Sequence, residues 1–523
     1  MNEIKETIKD LILTEKLDST SVVKSQRRIM KRMKTFAPSK MSLLKAYHEM
    51  TFKEKEDVAK SVGIKHTIQR DEKIKELLIT RPVRSLSGIV NVSVLTKPYP
   101  CPGQCIYCPN ENDMPKSYIK SEPAAMRAAI NKFDPTKQVN VRIKSLSLAG
   151  HPVEKIDLRI IGGNWSSYPK NYQTKFIKSV YDTCNDRKSQ TLKQAQKLNE
   201  SAKHKIVGLS IETRPDFVNE KEIERLRELG VTAVELGIQI IDEKILKGVK
   251  RGHGVESITV ATKLLKNAGF KICYQMMPNL PGSNIKKDLE IFKTLFNDPR
   301  FKPDHLKIYP TVTIKNTILY DMWKRGEYTP YSDKDLKSLM KRVKALIPKY
   351  VRIQRLIRDI PAQEIEAGTT LSNMRELIAK ESKKEGWSCQ CIRCREVRGF
   401  YDPLDNINLF REDYDASDGK EIFLSFEDTR RKRIYSLLRL RISEKAIIRE
   451  VHTYGKQLPT KKRRESSPQH KGFGKRLIEE AEKIVAKETD LKKLSVISAV
   501  GVRNYYRKLG YRLDKSYMSK KIK

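Results

Sequence analysis

Pro98-Tyr99-Pro100-Cys101-Pro102-Gly103-Gln104-Cys105-Ile106-Tyr107-Cys108-Pro109-Asn110 carries three cysteines spaced C-x3-C-x2-C, directly after the apolar run IVNVSVL at 89–95. Three thiolates at that spacing can hold three corners of an iron–sulfur cubane and leave the fourth iron open to a small chelating molecule. Tyr107 precedes the last cysteine, where its ring can cover a cluster. The alternative is a zinc knuckle with a remote fourth ligand, and the spacing is unusual for zinc.

Outward from this loop, residues 88 to about 360 alternate strand and helix patterns. IVNVSVL, DLRIIGG, KIVGLSIETRPD, AVELGIQ, KICYQMMPNLPG, HLKIYPTV and VRIQRLIRDIP are short apolar runs. Amphipathic helices separate several of them, for example 220–229 and 256–267. Repeated β/α units predict parallel strands with right-handed crossovers. Polar or glycine-rich groups follow the strands: Gly162-Gly163-Asn164, Glu212-Thr213-Arg214, Gln239, Pro278-Asn279 and Tyr309. In a barrel of this kind the site lies at the C-terminal ends of the strands.

The chain has 523 residues, 38 % of them hydrophobic, so two or three domains with real cores are expected. Lys plus Arg number 105 against 64 Asp plus Glu, a net charge of +41. Such a charge repels itself unless a polyanion neutralises it, which points to nucleic acid. Residues 1–85 read as helices with a basic face, Lys24, Arg27, Arg28, Lys31, Arg32 and Lys34, opposite a buried side marked by Met30, Met33 and Phe36. No run is apolar enough to span a bilayer, and the N-terminus lacks a signal-peptide core. A cytoplasmic protein is expected, so its eight cysteines read as metal ligands or core residues. Cys184 and Cys273 suit the core. Cys389, Cys391 and Cys394 form a second triplet, C-x-C-x2-C, in a connector at 361–400; three unligated thiols are its plain alternative.

From 401 to 523 the pattern becomes α+β. Strands IFLSFED, IYSLLRLRI and AIIREVHTYG precede the helix GFGKRLIEEAEKIVAKE, the strand KLSVISAV and GVRNYYRKLGY. Gln469-His470-Lys471-Gly472-Phe473-Gly474 opens the helix. Its glycines let backbone amides approach an anion, and the helix N-terminus adds positive charge. Basic patches at 430–433 and 461–464 are further candidates for phosphate contact.

The first cysteine loop resembles that of the radical S-adenosylmethionine (SAM) superfamily. The resemblance implies a [4Fe–4S] cluster on Cys101, Cys105 and Cys108, with SAM on its open iron. Gly162 and Gly163 then resemble the glycine motif that contacts the methionine moiety, and Glu212 and Arg214 are polar contacts at the next strand end. The C-terminal order resembles the GNAT acetyltransferases. Carried over, Arg449, Glu450, Val451 and His452 line the pantetheine arm of acetyl-CoA, Gly472, Phe473 and Gly474 hold its pyrophosphate, and Tyr505 reaches the sulfur. Tyr506 is a second candidate, with core packing as its plain alternative.

A radical SAM barrel joined to a GNAT domain resembles the Elongator catalytic-subunit family of tRNA uridine acetyltransferases. The segments SEPAAMRA, IETRPD, VELGIQ, RGH, MMPNLPG, LKIYPT, RDIPA, SNMREL and GVRNYYRKLGY carry the likeness. The family implies a tRNA anticodon stem-loop as substrate. A deoxyadenosyl radical takes hydrogen from the acetyl methyl of acetyl-CoA, the carbon radical adds to carbon 5 of the wobble uridine, and thioester hydrolysis leaves a carboxymethyl group. Lys155 falls where the family has a lysine contacting acetyl-CoA, and the second triplet resembles the zinc site of prokaryotic members. Two other readings compete: a protein lysine N-acetyltransferase with a structural iron–sulfur domain, and a non-catalytic RNA-binding scaffold. The sequence names no electron donor and is compatible with a homodimer.

Overall fold

In the computed structural model, each of the seven apolar runs becomes a strand: β1 (Ile89–Leu95), β2 (Lys155–Ile161), β3 (Lys205–Thr213), β4 (Ala233–Gln239), β5 (Lys271–Met276), β6 (His305–Ile308) and β7 (Arg352–Arg355). The structure describes residues 2–80, 82, 85–398, 406–455 and 471–522. The strands pair in chain order from β1 to β7, an open row. The pairs from β3 to β7 are parallel. Burial varies along the row: β6 is buried throughout and β4 nearly so, whereas β2 alternates buried with half-buried positions and β7 ends on the exposed Arg355. The helix Lys170–Asn185 shows why these segments fold so: Gln173, Phe176, Ile177, Val180, Tyr181 and Cys184 recur every three or four residues and are its buried face. Cys184 and Cys273 are both core residues.

A second sheet follows: β8 (Ile407–Asp415), β9 (Lys420–Asp428), β10 (Ile434–Ile442), β11 (Ala446–Thr453), β12 (Lys493–Val496), β13 (Arg512–Asp514) and β14 (Tyr517–Lys521). Its order is β13-β14-β12-β11-β10-β9-β8. Only β11 and β12 among the described pairs are parallel, and the helix Phe473–Glu488 lies between them in the chain. That helix buries Phe473, Leu477, Ile478, Ala481, Ile484 and Val485 against the sheet. Patterning finds β9 to β12 but not β8, β13 or β14. The stretch 461–464, Gln469, His470 and the expected domain start at 401 lie outside the described residues.

The N-terminal helices are α1 (Asn2–Ile12), α2 (Ser21–Met33), α3 (Lys40–Glu49), α4 (Phe52–Lys60) and α5 (Ile68–Leu78). Ile8, Leu11, Ile12, Val22, Leu43, Leu44, Tyr47, Ala59, Ile74 and Leu78 form their own core. The unit extends beyond the expected 1–85: it comprises 1–91 together with 140–155, while 92–139 and 156–523 form the other unit. Ala149 accepts from Thr80 N at 3.4 Å, and Ser85 Oγ lies 2.8 Å from His151 Nδ1.

Two expectations for α2 change. Its buried stripe is Ser21, Val22, Ser25 and Ile29; Met30 and Met33 are half-buried, and Phe36 is 90 % exposed. The small serines let α2 approach α1 closely, which sets the helix's rotation. The basic residues also divide into two stripes. Lys24, Arg28 and Arg32 pair with Asp18 (3.4 Å), Asp10 (2.6 Å) and Glu6 (2.5 Å). Arg27, Lys31 and Lys34 are exposed and have no acidic partner among the described residues.

Candidate active site

The cysteine loop follows β1 and stands at the C-terminal rim of the sheet. Cys101, Cys105 and Cys108 are all partly exposed. Burial, with Cys105 beside it, pushes the Cys108 thiol up to about 12. Two buried arginines converge on the loop. Arg251 Nη1 donates to Cys105 Sγ at 3.4 Å, and its Nη2 donates to Gly237 O at the end of β4. Arg214 is held by Asp216 through two bonds of 2.9 and 2.8 Å. Its Nη1 is buried without a hydrogen bond among the described residues, and a side chain at Gly103 would collide with it. An unsatisfied buried guanidinium beside three thiols favours an anionic occupant. Ile106 N donates to Val249 O at 3.2 Å, tying the loop to the segment that carries Arg251.

Gly162 and Gly163 continue β2 to the same rim. Gly162 has φ +132°, and a Cβ there would collide with Thr96 after β1; at Gly163 a Cβ would lie 3.1 Å from Lys116 O. The pair thus brings backbone against the cysteine loop's two flanks. Asn164 Oδ1 accepts from Thr213 Oγ1 (2.9 Å) and Arg214 N (3.3 Å), while its buried Nδ2 has no partner among the described residues. We expect Gly162→Ala to cost about 1–3 kcal/mol, since alanine must adopt a backbone conformation suited only to glycine. A thermal melt checks it: an unchanged midpoint would show that the loop relaxes freely.

Inside the sheet, Glu212 of β3 accepts from Tyr118 Oη (2.7 Å) and Gln275 Nε2 (3.1 Å). Burial holds its carboxyl above the usual range, against the pull of Lys307. Lys307 of β6 pairs closely with Glu235 of β4 and lies 4.0 Å from Glu212. Arg358, after β7, pairs with Glu122 at 2.6 Å. This ladder of buried charges lines the sheet below the cysteine loop. Lys155 does not join the rim groups: it opens β2, at the strand end away from Gly162.

The second sheet has an opening where the acyl-carrier reading needs one. β12 pairs only with Ala446, Ile447 and Ile448 of β11. From Arg449 onward β11 keeps one strand neighbour among the described residues, β10, with an irregularity in register at that point. Gly472 caps the helix Phe473–Glu488 with φ +73°, and no described residue stands within 4 Å of where a Cβ would be. A Cβ on Gly474 would lie 3.3 Å from Tyr505 Oη, 3.6 Å from Thr453 Oγ1 and 3.9 Å from Val451 Cγ1. The loop, the splayed strand and Tyr505 therefore meet at one place. Tyr505 is 41 % exposed, whereas Tyr506 packs in the core with Tyr511. Phe473 is also core, so it offers only backbone. Desolvation pushes the His452 imidazole down to about 4, and its ring lies 4.3 Å from that of Tyr454, tilted by 45°.

The Arg449 side chain points away from that opening. It is fully buried and donates to Asp304 (2.9 Å), Phe270 O (2.6 Å) and Glu421 (3.1 Å). Glu450 binds Arg439 at 2.8 Å. Arg439, Arg441, Arg449 and Lys266 face Asp304, Glu421 and Glu450 across the junction of the two sheets. For Arg449, only backbone is left to an arm. In the patch at 430–433, Arg431 is paired with Glu412 (2.5 Å) and Glu427 (3.0 Å).

The sulfurs of Cys389, Cys391 and Cys394 lie within 4.8 Å of one another, with no histidine or carboxylate completing the group among the described residues. Hydrogen bonds from Cys389 and Cys394 hold the Cys391 thiol well below its usual range. The following helix, Ile392–Arg395, ties both sheets together. Ile392 N donates to Val351 O (2.9 Å), and Arg395 bonds Lys349 O (2.8 Å) and Glu427 (2.6 Å). Sequence reasoning placed Asn164 at a strand end but passed over Arg251, Gln275 and Lys307 as site residues. For Gln275 and Lys307, polar residues within apolar strand runs, that position was the available signal; Arg251, after the helix Glu243–Gly248, had none.

Comparison with known proteins places these features. The radical SAM superfamily matches residues 99–295, and the radical SAM C-terminal domain matches 303–384. The tRNA uridine(34) acetyltransferase of Methanocaldococcus infernus is 45 % identical over 88 % of this chain and 90 % of its own. Human Elongator complex protein 3 is 38 % identical over 85 % and 86 %. The solved structure of Methanocaldococcus infernus Elp3 with an N-terminal deletion (1–46) superposes with a TM-score of 0.74 at 42 % identity, covering 83 % of this chain and all of that one. The chain belongs to the family of the tRNA uridine(34) acetyltransferases and Elongator complex protein 3.

Proposed function

We propose that this protein modifies uridine 34 of tRNA, building a carboxymethyl group on carbon 5 from acetyl-CoA by radical chemistry. The observation that carries the reading is the coexistence, in one chain of this family, of an open-ended cysteine loop at the sheet rim and a splayed strand pair beside a glycine-opened helix. When bound on Cys101, Cys105 and Cys108, a [4Fe–4S] cluster carrying SAM supplies a carbon-centred radical, which an unactivated ring carbon requires. The residues around it supply the rest. Arg251 and the unsatisfied Nη1 of Arg214 offset negative charge on the loop. Gly162, Gly163 and Asn164 present backbone and an amide to the methionine end. Backbone of β11 beyond Ile448 offers edge hydrogen bonds to an extended amide chain. Gly472 and Gly474 open amides to a pyrophosphate, and Tyr505 Oη stands over the arm's path. Cys389, Cys391 and Cys394 suit zinc by donor chemistry, with a fourth ligand from outside the triplet. No described helix is long and apolar enough to cross a membrane. We place the work in the cytoplasm, where such thiols stay reduced.

The test is mass spectrometry of wobble nucleosides after anaerobic reaction with reductant, SAM, acetyl-CoA and tRNA. We expect 5-carboxymethyluridine that vanishes when SAM or acetyl-CoA is withheld. Unmodified uridine together with acetylated protein lysine would favour the lysine acetyltransferase reading.

A further inference from the structure

The exposed ring of Phe36 is out of place by packing logic and in place by charge. A phenylalanine expected in the core stands instead 90 % in solvent. The segment bearing it is held rather than loose. Lys34 ends α2 in a left-handed conformation, φ 51°. Gln26 Nε2 of α2 donates to Pro38 O at 2.7 Å, and Ser39 Oγ accepts from Ser42 N at 3.0 Å to start α3. Phe36 is thus displayed on a short connector fixed at both ends. Arg27, Lys31 and Lys34, at i, i+4 and i+7, form one exposed face of α2 leading to that connector. The neighbouring stripe, Lys24, Arg28 and Arg32, is already neutralised by Asp18, Asp10 and Glu6. So the free positive charge of this helix is a single line that ends at an exposed aromatic ring.

From this we infer that Arg27, Lys31 and Lys34 track consecutive RNA phosphates and that Phe36 stacks on an unpaired base at the end of the track. The inference rests on the tRNA reading above and adds to it a base-stacking site in the N-terminal unit. A row of cations alone binds any phosphate backbone, paired or not. A ring at its end selects single-stranded or looped RNA, because only an unstacked base presents its face.

The full-length protein is titrated with two fluorescent RNAs of equal length, an anticodon stem-loop and a fully paired duplex, across a salt series. Phe36→Ala is expected to weaken stem-loop binding about tenfold, leave duplex binding within twofold, and leave the salt slope unchanged. Phe36→Trp should bind the stem-loop like wild type, with its fluorescence quenched by that RNA and not by the duplex. The variant Arg27→Gln/Lys31→Gln/Lys34→Gln should weaken both RNAs and lower the salt slope by roughly one unit per cation removed. If the triple variant behaves as expected while Phe36→Ala binds the stem-loop as wild type does, the stacking assignment is overturned and the tRNA reading stands. If Phe36→Ala loses both RNAs equally, selection by stacking is likewise overturned. If wild type binds neither RNA, the tRNA reading itself fails. Because Phe36 packs on nothing, the melting temperature of Phe36→Ala should match wild type, which separates these outcomes from misfolding.

Discussion

Asp304→Ala should lose about 3–5 kcal/mol of stability, the cost of stranding buried cations. Asp304 has no exposed surface. Its carboxylate takes two bonds from Arg449, accepts from Ile272 N at 2.9 Å and lies 3.6 Å from Arg439. Removing it leaves both guanidiniums in the interior with Glu421 and Glu450 as their remaining acids. Asp304→Asn keeps the bond from Ile272 N and the volume but not the charge, so it should fall between alanine and wild type. Urea unfolding read by circular dichroism measures the series; midpoints equal to wild type would show that the network redistributes its charge without loss. A pH dependence follows. Burial opposes ionisation of Asp304, but Arg449 and Lys266 outweigh it and hold its pKa far below the usual carboxylate range. A carboxyl depressed on folding contributes stability that is complete above its unfolded pKa, about 3.9, and lost as pH falls toward its folded value. Wild type should therefore lose this contribution only below about pH 4, while Asp304→Ala should show a correspondingly flatter acid limb.

The second large effect concerns chemistry rather than stability. Cys105→Ala should bring anaerobic formation of 5′-deoxyadenosine from SAM to background and lower the iron bound per chain, with little change in melting temperature, because Cys105 is partly exposed. Wild-type rates in that variant would remove Cys105 from the ligand set. Arg251→Met is the informative companion. It keeps all three thiols but removes the N–H aimed at Cys105 Sγ. Hydrogen bonds to cluster sulfur raise reduction potential, so this variant should hold iron and show a more negative potential. An unchanged potential would confine Arg251 to packing against Gly237.

What the sequence disclosed follows from where each signal is stored. The strands β3 to β6 are readable because burial on both faces makes them mostly apolar runs, and β1 and β2 because buried residues recur at every second position. β8 is not, because Ile407–Asp415 is an edge strand with Arg411, Glu412, Asp413 and Asp415 within it, one face exposed and the other only half-buried. β13 and β14 are short and polar, and only pairing makes them strands, β14 with β12 and β13 with β14. The cysteine loop is legible because its three ligands sit within eight residues of chain. Arg214 reaches that loop from the end of β3 and Arg251 from the turn after the helix Glu243–Gly248, an adjacency that tertiary structure alone creates. Arg449 shows the converse. Its motif position suggested a lining residue, while a bulge turned its side chain into the junction between sheets. In α2 the sequence displayed six cations as one basic face, and only the acids of α1 and Asp18 reveal that half of them are neutralised.

The N-terminal unit is discontinuous, closing through 140–155, and this orders events during synthesis. The five helices can pack as soon as α5 leaves the ribosome, since their core is drawn from residues 8–78. The groups that receive Thr80 and Ser85, Ala149 and His151, emerge only after the cysteine loop has been made. At ordinary translation speeds that interval is on the order of several seconds. The thiols are therefore born as an insertion within a half-closed unit, ahead of the strands that will bury Arg251 against them. A nascent chain stalled in that window has made Cys101, Cys105 and Cys108 but none of β2 to β7.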